Sequence, residues 1–233
     1  MLQKLSLIVL APLLIWQGRQ VRKNTLRLPE AAGEREGARK SSICGKSNHI
    51  RLLILGDSAA AGVGCDTQDE AVCGQLVARA AQTYSVDWQL WAQSSLTCAG
   101  ILQLAQQQPE TEPFDLVLIS AGVNDVTRRT SLTNWRHDLQ ALTQYLTEQR
   151  GAKRIIFTGL PPMHKFPALP QPLRWFVGQQ ARRLDDALRV HCQQSACEYL
   201  ELDLPFAPEY MAKDGFHPSA KAAKLWADAI QEI

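Results

Sequence analysis

Residues 52–64 read LLILGDSAAAGVG. Four aliphatic side chains, Leu52 to Leu55, stop at Gly56-Asp57-Ser58, and a run of small residues follows. A short run that is apolar at every position, not at alternate ones, predicts a strand buried on both faces of a sheet. The polar triplet then sits where the strand emerges, and the small residues after it leave room for a substrate. Such an emergence can be a phosphate cradle, a nucleophile turn or a plain loop. A phosphate loop of the G-x-x-x-x-G-K-[ST] kind needs a Lys that this stretch lacks, and Gly56, Gly62 and Gly64 do not have G-x-G-x-x-G spacing. The G-x-S-x-G elbow of the α/β-hydrolase fold is also missing.

Beyond residue 50, apolar runs alternate with helical periodicity. Strands are predicted at Leu52–Leu55, Val86–Gln93, Phe114–Gly122, Arg154–Leu160 and Cys197–Asp203. Helices are predicted over Thr67–Tyr84, Ile101–Gln108, from Thr133 onward, over Leu173–Cys192, and from Ser219. Trp135, Leu139, Leu142 and Leu146 share one helix face, as do Phe176, Ala181, Leu184 and Leu188, and Ala222, Trp226 and Ile230. The alternation describes an α/β protein: a mainly parallel five-stranded sheet in a three-layer α/β/α sandwich with right-handed crossovers. In such sheets ligands gather beyond the carboxyl ends of the strands.

Three polar clusters meet that requirement: Gly56-Asp57-Ser58, then Gly122-Val123-Asn124-Asp125 after the strand LVLIS, and Asp214-Gly215-Phe216-His217 before the last helix. A serine nucleophile needs a base, and the base needs an orienting acid. Of the five histidines, only His217 has an Asp three residues before it in a glycine-containing turn. That spacing lets Asp214 hold one ring nitrogen while the other faces outward. An acylation intermediate carries an oxyanion that needs donors placed in advance, and Asn124 offers a side-chain amide. Asp57 reads as a brace for its own turn, and Asp125 as a tie for the Asn124 loop.

Net charge is +2, unevenly spread. Residues 1–40 carry eight Lys/Arg against three Glu, so the remainder sums to −3, which argues against a nucleic-acid surface. The apolar run LSLIVLAPLLIW (Leu5–Trp16) precedes the basic QGRQVRKNTLR. Twelve helical residues reach about 18 Å, short of a hydrocarbon core about 30 Å thick. Residues 1–27 therefore read as a signal or a membrane-associated segment facing anionic headgroups, with a buried N-terminal helix as the alternative. Residues 28–49 read as a polar linker, and 50–233 as the domain. The expected setting is a membrane surface or the cell envelope, with the cytoplasmic side left open. Six cysteines include no C-x-x-C pair, so they read as small buried thiols, with Cys192–Cys197 a disulfide candidate in an oxidising compartment. His191, Cys192 and Cys197 lack a fourth ligand, and no metal site is expected. The loop Gly159–Phe176, rich in Pro and large apolar residues, reads as a pocket wall or as core cover.

With these blocks in place, the chain resembles the GDSL, or SGNH, hydrolases over residues 50–233. GDSAAAGVG is similar to that family's first block, AQSSLTCAG to its second, GVND to its third and DGFHP to its fifth. The resemblance implies a flavodoxin-like sandwich and a serine esterase or lipase-like acyl hydrolase acting on small acyl esters. It implies Ser58 as nucleophile, His217 as base and Asp214 as its orienter, with no metal and no cofactor. It also implies an oxyanion hole from the Ser58 N–H, Asn124 and a backbone N–H in the second block. There Ser95 stands where the family has Gly, a change a backbone donor survives if the angles suit a residue with a Cβ. An acyltransferase using the same acyl-enzyme, or a non-catalytic membrane-tethered domain, are the alternatives. Oligomeric state is not legible.

Overall fold

The computed structural model describes residues 2–43 and 48–230, with α1 side chains from Leu10 onward. Cys44 lies outside the described residues. A six-stranded sheet forms the centre, in spatial order β1-β3-β2-β4-β5-β6. Its strands are β1 (Glu36–Arg39), β2 (His49–Gly56), β3 (Ser85–Ala92), β4 (Leu116–Ser120), β5 (Arg154–Thr158) and β6 (Cys197–Leu200). All pairings are parallel except β1 with β3.

The apolar run of β2 explains the layering. Successive side chains of a strand face opposite ways, so Leu53 and Leu55 join one core while Leu52 and Ile54 join the other. β4 divides in the same manner, Val117 and Ile119 against Leu116 and Leu118. The first core is covered by α3 (Cys98–Gln106), α5 (Leu132–Glu148) and α6 (Leu173–Gln194), the second by α2 (Val72–Ala80) and α7 (Ala220–Ala229). Trp135 of α5 is wholly buried, and its indole N–H donates to the Leu184 carbonyl of α6 at 2.9 Å. The Trp226 indole of α7 donates to Thr158 Oγ1 at 3.1 Å, closing the other layer on β5.

The chain lays down β2 centrally, crosses to β3, then jumps back over β2 to β4 and continues outward. The strand order thus reverses between β2 and β4, the place where a crevice opens at the carboxyl ends. Gly56, the last residue of β2, lies opposite Ser120 of β4 and Ala92 of β3. A Cβ there would collide with the Ser120 carbonyl and Ala60, so only glycine lets the chain turn so tightly at this edge.

The sheet has six strands where the sequence predicts five. β1 is EGAR, exposed at every residue, and pairs antiparallel with β3 at the sheet edge. It carries no apolar pattern because it buries no side chain, and it lies in the stretch that reads as linker. Two helices also differ from expectation. Residues 67–71 are turn, so α2 begins at Val72, and Gln68 is buried with its amide donating to the Ala31 and Ala61 carbonyls. A six-residue helix, α4 (Val123–Arg128), follows β4, too short to show periodicity. Cys192 and Cys197 are buried free thiols, so the candidate disulfide is not formed.

Helix α1 (Leu2–Asn24) lies against the α6 layer. Leu14 is buried there, Leu10 and Val21 pack at its margin, and these positions share one helical face with Gln17. The Gln17 amide donates to the Gln171 carbonyl at 2.7 Å and accepts from the Leu173 N–H at 3.1 Å. Among the described residues no helix is long and apolar enough to cross a membrane.

Candidate active site

Two loops at the carboxyl edge bring Ser58 together with His217 and Asp214 across 159 positions of sequence. Ser58 Oγ lies 2.8 Å from His217 Nε2, and His217 Nδ1 lies 2.6 Å from Asp214 Oδ2. The other Asp214 oxygen accepts the N–H groups of Phe216, at 2.9 Å, and His217, at 3.1 Å. Burial opposes ionisation of Asp214, but the His217 ring and those two N–H groups outweigh it and hold the carboxyl below its ordinary value. An ionised carboxylate only accepts, so Nδ1 carries the proton and Nε2 is left to accept from the Ser58 hydroxyl.

The Ser58 turn is braced from beneath. Asp57 is buried, and its Oδ1 accepts the Ala59 N–H and the Ser120 hydroxyl, both at 3.1 Å. Burial pushes its carboxyl up to about 6, against the pull of the Ala59 N–H, the Ser120 hydroxyl and His217. No hydrogen bond joins Asp57 to the His217 ring; it braces the turn, as its place in the sequence suggests. Among the small residues after Ser58, Ala60 and Ala61 are buried in the core under α2 and α7. Gly64, at φ +104°, lies where a Cβ would strike the Pro218 carbonyl and Ala212, so it admits the His217 turn to close packing.

The remaining predicted residues occupy the loop after β3 and the adjoining helix α4. Ser95 stands in the left-handed region at φ 70°, one of two non-glycine residues with positive φ among the described residues. Asn124 donates from Nδ2 to the Leu96 carbonyl at 2.9 Å, leaving its second amide hydrogen free of that bond. Asp125, buried, accepts the Cys98 N–H at 3.0 Å and the Thr130 hydroxyl at 2.9 Å, tying the Asn124 helix to the start of α3. Burial raises its carboxyl against those two bonds.

Three contributors escaped sequence reasoning. Arg128 donates to the Ser95 carbonyl at 2.9 Å, and Glu30 accepts the Ser94 N–H at 2.6 Å. Ser120 holds Asp57. Arg128 lies four residues after Asn124, a helical spacing that would have flagged it once α4 was expected. Nothing local marks Glu30, which lies 64 residues from its partner in a polar stretch. The Gly159–Phe176 loop turns out to cover the core. Met163, Phe166, Leu169 and Leu173 are buried, while Phe176 is only partly buried and lies under Arg129. Phe166 meets the Phe216 ring at 6.0 Å, so the loop also props the His217 turn. The buried thiols are no rival nucleophiles: burial pushes Cys65 to about 11 and Cys73 and Cys192 to about 12.

A family model, the GDSL-like lipase/acylhydrolase family, matches residues 54–225. A GDSL-like esterase of Mycobacterium tuberculosis is 30% identical over 196 residues, covering 78% of this chain and 60% of that protein. The chain therefore spans about three-fifths of the length of this curated relative. Among solved structures, TesA superposes with a TM-score of 0.60 at 22% identity, covering 77% of this chain and 94% of its own. The esterase EstA of a Pseudoalteromonas species, solved with monoethylphosphonate as inhibitor, superposes with a TM-score of 0.56 at 23% identity, covering 77% and 93%. Both share the fold. With its G-D-S block on the switch-point strand and a family match across well over half its length, the chain belongs to the GDSL-like lipase/acylhydrolase family.

Proposed function

We propose that this protein is a serine ester hydrolase that cleaves acyl esters through Ser58, His217 and Asp214. The observation that carries the reading is the continuous relay from Ser58 Oγ through the His217 ring to Asp214, at 2.8 and 2.6 Å. His217 Nε2 takes the Ser58 proton as Oγ attacks the ester carbonyl, and Asp214 stabilises the imidazolium that forms. The oxyanion of the tetrahedral intermediate is met by the N–H groups of Ser58 and Ser95 and the Asn124 amide. His217 returns the proton to the departing alcohol, and water, deprotonated by the same ring, releases the acyl group. These residues supply every proton transfer the reaction needs.

The test is a p-nitrophenyl ester chain-length series with wild type and Ser58→Ala. The reading expects hydrolysis by wild type and a loss of at least about 10³-fold in kcat for the variant. Full activity in Ser58→Ala contradicts it.

We also propose that α1 lies against an anionic lipid surface. Its inner face is docked on α6, but Leu13, Ile15 and Trp16 are exposed, Trp16 by 58%. Arg19, Arg22, Lys23 and Arg27 follow, and no Asp or Glu precedes Glu30. Exposed Trp beside unopposed basic residues suits a helix lying in the headgroup plane.

A further inference from the structure

We propose that Arg128 is a positioning residue that holds the oxyanion-binding loop in its working shape. The proposal rests on the reading of the Ser95 N–H as an oxyanion donor.

Ser95, at φ 70°, occupies a conformation that glycine adopts freely and that a residue with a Cβ disfavours. A segment so disposed keeps its shape only when its neighbours over-determine it. Here the neighbours are distinct and lie on both sides. Upstream, the Gln93 N–H donates to the Gly56 carbonyl at 3.1 Å and the Ser94 N–H donates to Glu30. Downstream, the Ser95 carbonyl accepts from Arg128 and the Leu96 carbonyl accepts from Asn124, both at 2.9 Å. Asn124 and Arg128 are four residues apart on α4, so one helix face grips two successive peptide groups. Asp125, between them, takes the Cys98 N–H.

The three α4 contacts are not equivalent. Asn124 is itself proposed to touch the oxyanion, and Asp125 is buried within the structure. Arg128 is exposed and bonds the carbonyl of the left-handed residue itself. Fixing that carbonyl fixes the Ser95–Leu96 peptide plane, and with Ser94 tethered by Glu30 it settles where the Ser95 N–H points. A charged donor on a carbonyl is also stronger than a neutral one. Arg128 is thus the bond that keeps a serine doing a glycine's work.

The experiment compares wild type, Arg128→Met and Arg128→Lys on p-nitrophenyl butyrate and on the p-nitrophenyl ester of succinate, which carries a carboxylate. Hydrogen–deuterium exchange of the 94–98 peptide is measured in parallel. Methionine keeps the aliphatic stem at an exposed position, so folding is preserved. Expected for Arg128→Met are faster exchange at 94–98 and a fall of about tenfold in kcat on both esters, with KM within about twofold. Lys, retaining one donor, restores part of kcat. Unchanged exchange overturns the clamp whatever the kinetics show. Raised KM on the succinate ester alone overturns it too, making Arg128 a substrate contact. Faster exchange with unchanged kcat shows that the loop is clamped but that Ser95 is no oxyanion donor, which refutes the positioning role; loss of hydrolysis in Ser58→Ala remains a separate test of the nucleophile.

Discussion

Asp57 and Ser95 are both held away from their ordinary state, and each makes a prediction. The Asp57 carboxyl has a folded value of about 6 against an ordinary 3.8. Between those values the folded protein keeps a proton that the unfolded chain releases, so this group's contribution to stability falls as pH rises through that window. Asp57→Asn retains an acceptor for the Ala59 N–H and Ser120 hydroxyl without the charge. Its thermal midpoint relative to wild type is expected to be higher at pH 8 than at pH 4; the opposite trend in paired melts contradicts the assignment. Ser95→Gly removes a left-handed cost of about 1–2 kcal/mol and adds about 0.4–1 kcal/mol of unfolded-chain entropy. A rise in Tm of about 1–3 °C follows, and a fall shows that the Ser95 backbone is unstrained. Asn124→Ala is expected to lower kcat by about 10²–10³; an unchanged turnover removes Asn124 from the hole.

Among the elements, legibility followed burial. β2 and β4 are apolar at nearly every position because helices cover both faces, and that signature is unmistakable in sequence. The helix faces led by Trp135 and Trp226 were equally plain, since a stripe at helical spacing has one physical use. β1 was illegible because an exposed edge strand is held mainly by backbone bonds, which any sequence can make. The site divided in the same way. Ser58, Asp214, His217 and Asn124 carry the side-chain chemistry of the proposed mechanism, and asking what a nucleophile requires picks them out. Glu30 acts on a backbone group far along the chain and no spacing rule reaches it, whereas the helical spacing of Arg128 from Asn124 has meaning only once α4 is known. The α5–α6 contact gives the prediction at this scale. Trp135→Ala leaves a large cavity and removes the indole bond to Leu184, costing about 3–5 kcal/mol. Urea denaturation should show a matching drop in midpoint, and a loss under 1 kcal/mol would mean the α5 face is not part of the cooperative core.

For the molecule as a whole, the doubly wound sheet creates one edge where three distant loops converge, and α1 adds a basic, aromatic flank to the α6 layer. If that flank meets lipid, the double substitution Leu13→Ser, Trp16→Ser should reduce co-flotation with phosphatidylglycerol vesicles while leaving hydrolysis of a soluble ester unchanged. Equal flotation of both proteins contradicts the lipid-facing role of α1. The central claim, however, is that the relay at the sheet edge makes Ser58 the nucleophile. Its most direct measurement is peptide mapping by mass spectrometry after labelling with a fluorophosphonate, a reagent that captures an activated serine. The account predicts a single adduct on Ser58, absent from both Ser58→Ala and His217→Ala. An adduct on any other serine, or labelling of His217→Ala at the wild-type rate, contradicts it.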